Sequence, residues 1–154
     1  MVPLRTTLLC CTTNVACRND PQMILDTSAM VAIFFAESEC DRFLLAIHDA
    51  DVCRISAANF VELGIVIEGQ LGPQALRDCD EFLQFARIVI EPVTIDHAQR
   101  ARQAFSRFGK GKHAAGLNFG DCFAYALASA AGEPLLFKGN DFAQTDIQAA
   151  ANLP

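Results

Sequence analysis

Four acidic residues stand in surroundings that do not suit a charge. Asp26 directly follows the apolar run MIL at 23–25, and Glu62 is the only charge between Arg54 and Glu68, inside "SAANFVELGIVIEG". Asp121 opens the apolar stretch "NFGDCFAYALA", and Asp141 follows "LLFKGN". A carboxylate in such company is costly to bury unless a cation neutralises it. Four acids gathered without local bases would raise one another's pKa, unless a divalent metal is the missing partner. Oxygen ligands with no Cys or His beside them suit Mg2+ or Mn2+ rather than zinc. One or two such ions would activate a water, hold the non-bridging oxygens of a phosphodiester and stabilise the leaving oxygen. Each acid also has an ordinary reading: helix cap for Asp26, dipole partner for Asp121, turn residue for Asp141, solvent-facing position for Glu62. Their placement on one expected edge of a sheet raises them above those readings.

That edge follows from the elements. Residues 23–25 form a short strand, and Asp26, Thr27 and Ser28 offer capping side chains to a helix through Ala36. Ser38 is expected to cap another through about Ala50. Val52 to Ile55 is a second strand, and Ser56 caps a helix ended by Gly69 or Gly72. Pro73 opens a helix through about Phe85. "RIVIEPV" is a third strand closed by Pro92, followed by a helix with Thr94 or Asp96 as cap and Gly109 as stop. "KGKHAAG" is a glycine-rich basic loop, Asn118 caps the next helix, and "PLLFKGNDF" is a strand running into a tight turn. The end, "AQTDIQAAANLP", is expected to be peripheral. Strands separated by helices imply crossover connections, hence a three-layer α/β/α sandwich around a mainly parallel sheet. Ligands of such sheets bind beyond the carboxyl ends of the strands.

Composition bounds the rest. The chain has 154 residues, 52% of them hydrophobic, which suits one folded domain, expected over 23–150 with a short tail at 151–154. No apolar run approaches the ~20 residues that span a bilayer, so no membrane association is expected. Seven cysteines without a C-x-x-C pair read as free thiols of a reducing, cytoplasmic setting. Residues 1–22 show no strand or helix period and hold three of those cysteines, so they read as an extension, disordered or not native, with Met23 as the expected start. The net charge of −6 argues against a generic nucleic-acid coat. Its distribution matters more: Arg100, Arg102, Arg107, Lys110 and Lys112 lie between His97 and Gly120 with no acid among them. Lys110, Lys112 and His113, just before Asp121, could meet phosphates entering the acidic site.

In combination, "MILDTSAMVAIFFAE", "SAANFVELGIVIEG", "GKGKHAAGLNFGDCFAYALA" and "LLFKGNDFAQTDI" resemble the PIN-domain ribonucleases, specifically the VapC-type toxins of toxin–antitoxin pairs. The resemblance runs from Met23 to about Ala150. It implies a Mg2+- or Mn2+-dependent endoribonuclease acting on structured RNA, transfer or ribosomal, and restrained by a cognate VapB-like antitoxin. The family's acids fall on Asp26, Glu62, Asp121 and Asp141, with Asp146 as an accessory acid. Thr27 or Ser28 matches the small hydroxyl residue that positions a water or ligand. A homodimer is implied, with an antitoxin segment lying in an apolar groove near Phe34 and Phe35.

Rival readings share the opening strand and acid. A haloacid-dehalogenase-type phosphotransferase needs a second acid two residues on, where this chain has Ser28. A phosphoreceiver domain needs a clustered acid pair, which is missing, and a late lysine, for which Lys138 is available. A PIN-like protein that binds without cutting is the third.

Overall fold

The run at 23–25 belongs to strand β1 (Gln22–Leu25) of the computed structural model, which describes residues 22–150. The expected extension and the tail at 151–154 lie outside the described residues, save Gln22. That residue begins β1 and accepts a hydrogen bond from Arg54 Nη1 at 3.1 Å. There follow α1 (Thr27–Phe34), α2 (Cys40–Asp49), β2 (Val52–Ser56), α3 (Ala57–Leu71), α4 (Pro73–Phe85), β3 (Val89–Glu91), α5 (Ile95–Phe108), α6 (Phe119–Ala131) and β4 (Leu135–Leu136). A short 3-10 turn, Phe142–Gln144, comes after β4.

The strands pair in parallel in the order β3-β2-β1-β4. Parallel neighbours cannot be joined by a hairpin, so helix pairs make each crossover. The last crossover, α5 with α6, carries the chain from β3 at one edge to β4 at the other. Side chains alternate across the sheet as the strand period requires. Met23, Leu25, Cys53, Ile55 and Leu136 face a core shared with α1 to α4, whereas Ile24 and Leu135 face a second core built with α5 and α6. This is the expected α/β/α sandwich.

Local chemistry sets most boundaries. Ser56 caps α3 by accepting from the Ala58 N–H, and Gly72, at φ +88°, ends it rather than Gly69. Thr94, not Asp96, caps α5 by accepting from the His97 N–H. Ser38 does not cap α2; its hydroxyl donates to Glu39 Oε2 at 2.9 Å, and the helix starts after Glu39 without a side-chain cap. The helix α1 stops at Phe34, short of Ala36.

The C-terminal stretch is less peripheral than expected. The Leu135 N–H donates to the Gln148 carbonyl at 2.9 Å and the Ala150 N–H to the Leu135 carbonyl at 2.8 Å, so this segment runs beside β4. Phe34 and Phe35 are half-buried against the first core, Phe34 edge-on to Phe82, and Val31 and Ile33 beside them are likewise partly exposed. Apolar residues more fully in water include Val61 and Ile65 on α3, Ile95 and Phe119. Cys40, Cys53, Cys79 and Cys122 are free thiols. Burial pushes the last three up to about 11, which makes them unreactive core fillers. Among the described residues no helix is long and apolar enough to cross a membrane.

Candidate active site

At the carboxyl end of β1 the chain turns into α1 through Asp26, which is 1% exposed. One oxygen of its carboxylate, Oδ2, accepts from the Ser28 N–H at 2.9 Å and from Ser28 Oγ at 2.5 Å, so Asp26 is the cap of α1. The other, Oδ1, is buried and has no hydrogen-bond partner among the described residues. Burial pushes the Asp26 carboxyl up to about 7, against the lowering effect of the Ser28 bonds, and the charges of Asp121 and Glu62 add to the rise. Ser28 is held in turn by the Lys138 N–H, which donates to its hydroxyl at 3.0 Å and so ties the end of β4 to the start of α1.

Glu62 reaches the same edge from the second turn of α3. Thr27 Oγ1 donates to Glu62 Oε2 at 2.6 Å. The buried Asn59, one turn earlier, donates to Thr27 Oγ1 and to the Gly120 carbonyl, each at 3.1 Å. Gly120 has no side chain, and the Glu62 carboxylate occupies the space where one would stand.

Asp121 follows in the first turn of α6. Its Oδ2 accepts from the Asn118 N–H at 2.7 Å while its own N–H donates to Asn118 Oδ1 at 2.9 Å, a reciprocal cap. Burial raises its carboxyl above the ordinary range, and the charges of Glu62 and Asp141 push the same way. Asp141, exposed, lies beyond a tight turn that Gly139 permits at φ +93°. Asp26 and Asp121 both sit at helix N-termini, whose partial positive charge favours an anion.

The geometry fits a hard cation in one respect and leaves a step to make in another. Asp26, Glu62 and Asp121 each give one oxygen to an internal donor. Their second oxygens, Oδ1, Oε1 and Oδ1, have no donor among the described residues. An all-oxygen set with free lone pairs is what Mg2+ or Mn2+ takes. Among the described residues, no three carboxylate, imidazole or thiol groups close to ligating distance around one point. Gathering them on an ion would therefore require side-chain movement.

The remaining candidates are distributed around this cluster. Asp146 does not join it: Oδ1 accepts from Tyr125 Oη at 2.6 Å and Oδ2 from Arg107 Nη2 at 2.8 Å, and these bonds hold its carboxyl below the ordinary range. The basic loop is ordered by backbone bonds from Lys110 to Leu117 and from Leu117 to Phe108. The Lys112 ammonium stands 5.0 Å over the Phe105 ring, and His113 Nδ1 accepts from the Ala115 N–H at 3.1 Å. Gln144 joins this loop to the Asp141 turn by donating to the carbonyls of Ala114 and Asn140. Lys138 pairs with Glu37 and Glu39, which occupies the ammonium a phosphoreceiver would need beside its first acid. A separate groove of about 1060 Å³ lies between α5 and α6, walled by Phe105, Phe119 and Phe123, and none of the acids lines it.

Asn59 and Gly120 are site residues that sequence reasoning missed. Each left a faint signal: an uncharged polar residue three before Glu62 in an apolar helix, and a glycine inside a first helical turn where nothing bends.

The sheet order, the crossovers and the acid edge together define a PIN domain, and residues 23–148 match that family's profile. Ribonuclease VapC28 of Mycobacterium tuberculosis is 50% identical over 129 residues, covering 83% of this chain and 97% of that protein. Among solved structures, VapC20 of M. tuberculosis, described as a sarcin-ricin loop cleaving toxin, superposes with a TM-score of 0.68 at 16% identity, over 81% of this chain and 95% of that one. VapBC2 from Rickettsia felis, bound to a DNA fragment from its promoter, gives 0.66 at 15% identity over 83% and 96%. The chain belongs to the PIN-domain family, in its VapC branch.

Proposed function

We propose that the chain is a Mg2+- or Mn2+-dependent endoribonuclease, the toxin of a VapBC-type pair, that cuts structured transfer or ribosomal RNA in the cytoplasm. The observation that carries this reading is the meeting of Asp26, Glu62 and Asp121, from three different elements, each with one oxygen fixed and one free. These three would hold the ion, with Asp141 at the exposed rim and Asp146 outside. When bound, the metal would neutralise the carboxylates and supply an activated water for in-line attack on a phosphodiester. Thr27 and Ser28 keep the carboxylates turned, through Glu62 Oε2 and Asp26 Oδ2. Lys110, Lys112 and His113, on a loop tied to the Asp141 turn, receive backbone phosphates of the RNA.

A relative named as a ribonuclease at 50% identity supports the activity, and a solved VapBC assembly of the same fold supports a VapB-like antitoxin. The apolar groove between α5 and α6 offers surface for a homodimer or for that partner.

The test is incubation of the purified chain with total RNA in Mg2+, in Mn2+ and in chelator, with mapping of new ends. Discrete cuts that need metal, and that vanish in Asp26→Asn and Asp121→Asn, are expected. RNA retained but uncut at every metal concentration would replace the nuclease with a binding protein.

A further inference from the structure

Asn59 is fully buried, and its nitrogen faces three acceptors: Thr27 Oγ1 at 3.1 Å, the Gly120 carbonyl at 3.1 Å and Glu62 Oε2 at 3.5 Å. An amide nitrogen carries two hydrogens. The two shorter contacts take them, and Glu62 is reached through Thr27, whose hydroxyl accepts from Asn59 and donates at 2.6 Å to Glu62 Oε2. Turned over, the amide would set its oxygen against three oxygens, so its orientation is fixed. The cost is that Asn59 Oδ1 is buried with no partner among the described residues. An apolar side chain of similar size would avoid that cost, so the position is explained by what the nitrogen does.

We propose that Asn59 is a positioning residue of the site. By donating to Thr27 and to the Gly120 carbonyl it ties α1, α3 and α6 together and sends the single Thr27 hydroxyl hydrogen to Glu62. Glu62 Oε2 is thereby held and Oε1 left for a cation. The ionised Glu62 carboxylate can only accept and the Asn59 amide nitrogen can only donate, so the Thr27 hydroxyl, held between them, turns its one hydrogen to Glu62 while Asn59 fixes where its oxygen stands. The role in metal binding rests on the nuclease reading above; the relay itself does not.

The full chain, with Asn59→Ala, Thr27→Val and the double variant, separates the two. In chelator, the 13C signal of the Glu62 side-chain carboxyl, assigned with Glu62→Gln, should shift in the same direction in both single variants and no further in the double. Mn2+ affinity, read by electron paramagnetic resonance, should fall ~10–100-fold in each single variant, the range for removing a residue that orients a ligand. It should fall no further in the double. An Asn59→Ala protein that melts earlier yet keeps the wild-type Glu62 signal and Mn2+ affinity would overturn the proposal. If wild type binds no Mn2+, the nuclease reading fails, and the Glu62 signal alone decides on Asn59. Thr27→Val, close in shape to the original, guards against a misfolded Asn59→Ala: the Asn59 side-chain amide protons should then shift and exchange faster, and their indifference would equally overturn the relay.

Discussion

A Cβ placed on Gly120 would stand 2.3 Å from Glu62 Oε2 and 2.4 Å from Glu62 Oε1. The α3 carboxylate therefore rests directly on the backbone of α6, one residue before Asp121. Two acids from elements far apart in the chain are held together because one position between them has no side chain.

Gly120→Ala should accordingly separate activity from stability. The clash falls on the end of a flexible Glu side chain, which can swing away, and alanine is the better helix former by roughly 0.5–1 kcal/mol. Folding stability should stay near wild type, while a displacement of the carboxylate on the order of 1 Å costs about 10²-fold in RNA cleavage. Steady-state cleavage rates beside a denaturant melt check this; cleavage at the wild-type rate would show that Glu62 need not sit where it does.

Asp26→Asn should change how stability depends on pH. The Asp26 carboxyl is raised to about 7 in the fold from an ordinary 3.8, so the native state binds the proton more tightly than the unfolded chain. Wild-type stability then falls as pH rises from about 4 to about 7 and is level beyond, whereas the amide carries no such penalty. In chelator the variant should gain on wild type across that window, by at most ~4 kcal/mol, and added Mg2+ should close the gap by stabilising wild type alone. Denaturant melts from pH 4 to 8 measure it, and parallel curves for the two proteins would contradict the buried charge.

Much of this site was legible in residue order. Asp26 after an apolar run, Ser56, Thr94 and Asn118 at helix starts, and Pro73 at a first helical position are local signals, decided by neighbours a few residues away. Gly120 and Asn59 were only faintly legible, because the use of Gly120 depends on Glu62, and that of Asn59 on Thr27, arriving from another element. Asp146 offered the same residue type as the other acids. Its pairing with Tyr125 and Arg107, 21 and 39 positions away, gives it a different occupation. The segment beside β4 escaped notice for another reason: its pairing is backbone to backbone and leaves no side-chain pattern.

Charge reversal on the basic loop should act on RNA binding and not on the chemistry. Lys110 and Lys112 are exposed, and Lys112 is steadied over Phe105. In Lys110→Glu with Lys112→Glu, KM for RNA should rise and the slope of log affinity against log salt should fall by roughly 0.7 for each phosphate the loop no longer neutralises. The rate at saturating RNA should hold. A salt slope equal to wild type would remove the loop from the RNA path.

Asp146→Ala tests whether that acid serves the ion or the frame. Both of its oxygens are already engaged, by Tyr125 Oη and by Arg107, and the Arg107 guanidinium also lies 4.6 Å over the Phe108 ring. Such a carboxylate is fixed to α5 and α6 and has its charge balanced where it stands, so a metal would have to take it from an existing partner. The pair is exposed, and water screens what it contributes, so its loss should lower the melting temperature only slightly. Mn2+ affinity and the metal dependence of RNA cleavage should match wild type, in contrast to Asp121→Asn, where both should collapse. A titration of Mn2+ into the two variants side by side gives the answer. A fall in affinity for Asp146→Ala comparable with that for Asp121→Asn would mean that Asp146 leaves Tyr125 and Arg107 to become a ligand, and would place the ion nearer α5 than the free oxygens of Asp26 and Glu62 imply.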